Sequence, residues 1–101
     1  MGIVRLDSSL KETTEADFLS YQLPRSTWPA MRRYLFSGVE PGHFLTAVLT
    51  NNLLDSCNRA DDENILLLPN YIKFLYNCVP GNAWGSAEAV TAWIENRGFM
   101  R

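Results

Sequence analysis

The stretch Glu40-Pro-Gly-His-Phe-Leu-Thr-Ala-Val-Leu-Thr-Asn-Asn-Leu-Leu-Asp-Ser-Cys57, followed by Arg59-Ala-Asp-Asp-Glu-Asn64, decides the fold. Pro41 suits a first helical turn, where a missing N–H is no loss. At about 100° per residue, Phe44, Leu45, Val48, Leu49, Leu53 and Cys57 share one broad face, so the spacing predicts a single helix from Pro41 to Cys57. Asn52 and Ser56 fall inside that face. A buried amide needs hydrogen-bond partners, so Asn52 is expected to tie this helix to a neighbouring loop or backbone carbonyl. Leu54 points the other way, which means a second covered side or an apolar residue offered to a partner.

Downstream, Asp61 and Asp62 suit the N-cap and the positive end of a third helix. Ile65, Leu68, Ile72, Leu75 and Val79 mark one seam of it, while Leu67, Tyr71, Phe74 and Cys78 cover most of the rest. Asn70, Lys73 and Asn77 form the polar wedge, with Leu66 at its edge. A helix apolar nearly all round is central. Pro69 should bend it or delay its regular start.

Upstream, Ser26 or Thr27 is placed to cap a helix with Pro29 in its first turn, Trp28, Met31 and Leu35 inward, and Gly38 as its stop. At the far end, Pro80 to Gly85 is a tight loop and Ser86 caps a last helix. Ala87, Val90, Trp93 and Ile94 face inward there, Glu88, Thr91 and Glu95 face water, and Gly98 ends it. Four helices with short connections predict an all-α bundle of antiparallel neighbours over residues 23–101. Residues 1–22 form an N-terminal arm. Gly2 to Leu6 could be a short strand or extended, and Thr14 to Asp17 could open a brief helix carrying Phe18 and Tyr21.

Composition narrows the function classes. A chain of 101 residues is one domain, and 47% hydrophobic residues suffice for one core. Nine Lys and Arg against eleven Asp and Glu give a net charge of −2, the wrong sign for unspecific phosphate binding. No apolar run is long enough to span a membrane. Met1 to Leu10 lacks the apolar centre of a secretory signal. The expectation is a reducing cytoplasm with Cys57 and Cys78 as thiols largely buried in helices.

Several phrases together carry a resemblance: Tyr34-Leu35 with Gly38, Pro41-Gly42-x-Phe44-Leu45-x-Ala47-Val48-Leu49, Asn52-Leu53, Ala60-Asp61-x-x-Asn64, Phe74-Leu-Tyr-Asn77, Pro80, and Trp84-Gly-Ser86 leading to Trp93. Over residues 23–95 this pattern resembles a family of small uncharacterised proteins of tailed phages and prophages. Pro69 interrupts a stretch expected to be continuous helix in such relatives, and the first 22 residues have no counterpart. The resemblance implies a phage or prophage origin and action in the cytoplasm of a bacterial host. It implies no catalytic residue.

No group of residues spells out a reaction. His43 is the sole histidine and has neither a nucleophile nor an orienting acid beside it. With Cys57 and Cys78 it matches no zinc spacing. Asp61, Asp62 and Glu63 are contiguous, whereas glycosidic acid–base work needs carboxylates facing across a cleft. They also lack the alternation and the glycine of a calcium loop. Gly81, Gly85 and Ser86 precede a helix without a P-loop lysine or a dinucleotide fingerprint. No cofactor and no metal is therefore expected.

The best basic–aromatic group is Arg25, Arg32 and Arg33 with Trp28, where Arg32 lies four residues on and its guanidinium can reach the indole. The outward apolar residues Phe36, Leu54 and Leu66 complete the candidate partner-binding set of Trp28, Arg32, Arg33, Phe36, Leu54 and Leu66. The leading expectation is a non-enzymatic protein that binds a host protein, such as a defence complex, or a second copy of itself. The alternative is a nucleic-acid-binding regulator. It is disfavoured because the second and third helices are mostly apolar and the last carries Glu88 and Glu95.

Overall fold

A computed structural model of the chain describes residues 13–100. Among the described residues seven α-helices follow one another: α1 (Glu15–Ser20), α2 (Trp28–Ser37), α3 (His43–Leu49), α4 (Leu53–Arg59), α5 (Asp62–Leu66), α6 (Leu68–Cys78) and α7 (Ala87–Glu95). Short 3₁₀ turns cover Arg25–Thr27, Gly81–Ala83 and Gly98–Met100. There is no strand among the described residues, and Gly2 to Leu6 lie outside them. The all-α class and the compactness agree with expectation, with a radius of gyration of 12.7 Å against about 13 Å for a domain this size. The count of four helices is only a rough description. Two of the expected long helices are each broken in the middle.

The first break separates α3 from α4. Thr50 turns its hydroxyl back onto the carbonyls of Thr46 (2.8 Å) and Ala47 (3.2 Å). Asn51 then adopts a left-handed backbone (φ 63°). Its N–H bonds to Val48 O at 3.1 Å, and the N–H of Asn52 bonds to Ala47 O at 2.9 Å. This paired pattern closes a helix C-terminus, with asparagine in the place glycine most often fills. Asn52 does not reach a neighbouring element as expected. It is exposed and caps α4, its Oδ1 accepting the N–H of Asp55 at 3.0 Å. With the helix redirected, Leu53 and Cys57 leave the apolar face predicted for them and stand exposed. Cys57 is therefore not a buried thiol, Cys78 is half-buried, and no disulfide joins them.

The second break falls at Leu67, just before Pro69. The N–H of Leu67 takes a short three-residue step to Asn64 O (3.0 Å), and α6 starts afresh with Pro69 in its first turn. A helix running straight through would press the proline ring on the carbonyl of residue 65. The expected central helix also needs correction. α6 buries Tyr71, Phe74 and Leu75 completely, yet its opposite side, with Pro69, Ile72, Lys73, Tyr76 and Asn77, is exposed. The aromatic pair has more area to hide than the predicted seam through Ile72, and it takes the core.

Around Tyr71 and Phe74 the core is aromatic. Phe18 from α1 meets Trp28 at 5.2 Å and stands edge-on to Phe74 at 5.1 Å between ring centres. Phe44 stands edge-on to Tyr71 at 5.4 Å. Helix α1 is set by a reciprocal cap, in which Thr14 Oγ1 accepts from Asp17 N–H and Asp17 accepts from Thr14 N–H. Thr27 does not cap α2 with its side chain. Its hydroxyl donates to Pro24 O at 2.9 Å inside the preceding 3₁₀ turn.

The two ends of the main body meet backbone to backbone. Gly38 ends α2 in the left-handed region (φ 68°), and Gly98 follows α7 at φ 60°. A Cβ on Gly38 would lie 2.8 Å from Arg97 Cα, and one on Gly98 would strike the carbonyl oxygen of Leu35. Both positions combine a positive φ with no room for a side chain, so only glycine fits. Beside this joint, Trp93 Nε1 donates to Tyr34 O at 3.0 Å and the Tyr34 hydroxyl donates to Ala83 O.

Candidate interaction surface

The arginines of α2 lie on its outer side. Arg32 and Arg33 are exposed, whereas Trp28 retains only 7% of its surface and serves the core beside Phe18. The expected stacking of Arg32 on Trp28 does not form. The guanidinium lies over Phe36 instead, 5.3 Å from the ring centre, and Phe36 packs edge-on against Phe99. Arg25 pairs with Glu15 at 3.0 Å, an ion pair open to water and therefore weak. The helix thus offers two charged heads and the rim of one phenyl ring.

Leu54 and Leu66 belong to other elements, α4 and α5, and are 73% and 79% exposed. The structure adds neighbours to them. Leu53 is 72% exposed and Tyr76 73%, and Ile72 and Val39 are also open. Cys57 lies four residues after Leu53 and three after Leu54, so it neighbours both on the helix surface, as Tyr76 neighbours Ile72. Helix α4 is shallowly seated. It leans on α3, and Ser56 is its one buried residue. Reading Leu53 and Ile72 as inward hid these surfaces. Thr50-Asn51-Asn52 was the available signal, since asparagine tolerates the left-handed conformation and also caps helices.

Charge is distributed unevenly over the same region. Residues 53–66 contain Asp55, Asp61, Asp62 and Glu63 against Arg59 alone, a balance of −3 where the whole chain carries −2. Arg59 is itself engaged with Asp55 at 3.5 Å. Asp61 caps α5 by accepting the N–H of Asn64 at 2.8 Å, while Asp62 and Glu63 lie exposed in the first turn.

The polar groups held inside have structural partners. The Tyr71 hydroxyl donates to Asn64 Oδ1 at 2.8 Å and lies 3.2 Å from Thr27 Oγ1, linking α5, α6 and the turn before α2. Burial pushes the Tyr71 phenol up to about 12, and the nearby carboxylates of Asp61 and Glu63 act in the same direction. Burial raises Tyr34 as well. Every described side-chain N or O atom that is fully shielded has a hydrogen-bond partner.

The remaining sequence candidates take ordinary places. His43 is exposed at the start of α3. No group of three or more His, Cys, Asp and Glu side chains among the described residues could hold a metal ion. The N–H of Gly85 donates to Leu49 O at 2.7 Å, and Ser86 Oγ accepts from Ala89 N–H, so the loop's donors serve the fold. No helix among the described residues is long and apolar enough to cross a membrane. Comparison with known proteins returns no match: no family model fits the chain, and no curated protein and no solved structure is significantly similar to it.

Proposed function

We propose that this chain is a non-enzymatic interaction protein that acts by covering the surface of another protein. One observation carries the reading. Leu53, Leu54, Leu66, Ile72 and Tyr76, all on α4 to α6, hold large apolar side chains in water while the aromatic core behind them is closed. Single exposed apolar residues are common, but five large ones within about one quarter of the chain favour a docking role. Arg32, Arg33 and Phe36 supply a second patch of a kind enriched at interfaces. The resemblance to tailed-phage and prophage proteins supports a partner in the cytoplasm of a bacterial host, with a defence complex as one form of it.

The test is capture of partners by the tagged chain from bacterial lysate, with nuclease treatment and with Leu53→Ser/Leu54→Ser and Ile72→Ser/Tyr76→Ser variants. A stoichiometric protein that survives nuclease and is lost with either variant supports the reading. Retention of nucleic acid alone would replace it with the regulator. Light scattering on the same variants tests the second copy as partner. A dimer that dissociates with either pair of substitutions would make the partner the chain itself.

A further inference from the structure

The exposed strip of α4 has a definite electrostatic setting, and this narrows what can cover it. Leu53, Leu54 and Cys57 occupy the outer side of a helix of seven residues. At about 1.5 Å per residue that helix is about 10 Å long. Its far end leads through Ala60 directly into Asp61, Asp62 and Glu63, all exposed. Apolar side chains and a carboxylate cluster therefore lie within the reach of one short partner segment. The sole cation of the stretch, Arg59, lies 3.5 Å from Asp55 in an exposed pair, so the stretch keeps a net charge of −3.

A second copy is a poor occupant for this patch. A twofold contact sets the same surface against itself, so both copies would bring a stretch of net charge −3 to one small interface. Like charges brought together under a contact oppose association. An anionic or neutral segment would leave the carboxylates stripped of water without a counter-charge. We propose that the α4–α5 segment docks a cationic amphipathic helix of a partner protein. Leucine-type side chains of that helix cover Leu53 and Leu54, and Lys or Arg on its next turns meet Asp61, Asp62 and Glu63. The inference rests on the interaction reading above and adds the sign and shape of the partner.

The probe is a synthetic helix of about 14 residues, roughly 21 Å long, built from Leu and Lys in an amphipathic pattern. Its controls are the same pattern in Leu and Glu, and a Lys–Ala helix without leucine. Each is titrated into the ¹⁵N-labelled full chain. The Leu–Lys helix is expected to shift amides of residues 52–66, with affinity falling about tenfold from low to high salt. Leu53→Ser/Leu54→Ser should abolish those shifts with an unchanged melting temperature, because both leucines are exposed. Asp62→Asn/Glu63→Gln should weaken binding several-fold and flatten the salt dependence. Equal binding of the Leu–Glu or Lys–Ala helix, or shifts confined to α6 or α2, would overturn the proposal. If the peptide fails while a captured protein still depends on Leu53 and Leu54, the cationic assignment falls and the interaction reading stands. If neither peptide nor protein depends on them, both fall.

Discussion

The joint between α2 and the turn after α7 and the α4–α5 arm are held in opposite ways. At the joint, Gly38 and Gly98 bring two backbones into contact, and Trp93, Tyr34 and Ala83 are laced by buried hydrogen bonds. In the arm, α4 buries Ser56 and α5 buries Asn64, and leucines face water. Buried packing is therefore concentrated in one part of the molecule and exposed apolar surface in the other. A domain that opens locally does so first where few apolar contacts are buried.

That contrast can be tested by substitution. Phe74→Ala removes a fully buried ring at the centre of the aromatic cluster and is expected to cost about 3–5 kcal/mol, read by urea denaturation. Gly98→Ala should cost roughly 3 kcal/mol, from a strained backbone together with a clash on Leu35. If it melts like the parent, the joint is not the rigid half. Tyr71→Phe strands Asn64 Oδ1 inside the core and should cost about 1–3 kcal/mol. In the arm, Asn52→Ala should cost only about 1 kcal/mol through loss of its cap. Leu53→Ser and Leu54→Ser should each stay within about 0.5 kcal/mol. A large loss there would mean that the arm is packed more firmly than its exposure implies.

Tyr71 also sharpens the contrast through pH. Its phenol is raised from 10.0 to about 12 in the folded chain, so the folded state binds the proton more tightly than the unfolded one. The stabilisation is present in full below pH 10 and is lost as the pH climbs towards 12. Denaturant midpoints measured across this window should fall. Tyr71→Phe should flatten the decline, leaving the part due to Tyr34. An unchanged slope in that variant would remove Tyr71 from the account.

Much of this architecture was legible in the sequence. Pro29 and Gly38 bracket α2, Ser86 opens α7, and Thr14 opens α1, because caps and stops depend on local backbone chemistry. Pro69 marked the α5–α6 break for the same reason. The α3–α4 break was missed because apolar spacing continues straight through Thr50-Asn51-Asn52, and periodicity cannot register a single residue with positive φ. The exposure of Leu53 follows from that one dihedral. Trp28 and Arg32 were misjudged for a different reason. Which ring an arginine covers depends on Phe99 and Phe18, residues distant in sequence that decide which of Phe36 and Trp28 remains accessible. The Gly38–Gly98 contact is likewise invisible locally, since each glycine reads as an ordinary helix stop.

The joint has a kinetic consequence. Its hydrogen bond from Trp93 to Tyr34 spans 59 residues, so the chain must close a long loop before the joint contributes anything. The arm and the caps need only neighbours in sequence. A contact that forms after the folding barrier acts, when weakened, on escape from the native state rather than on arrival, and the joint is expected to be of this kind. Gly98→Ala should accordingly steepen loss of the folded state in unfolding jumps while refolding proceeds at nearly the parent rate. The two glycines would then govern the half-life of the folded state rather than the speed of its formation.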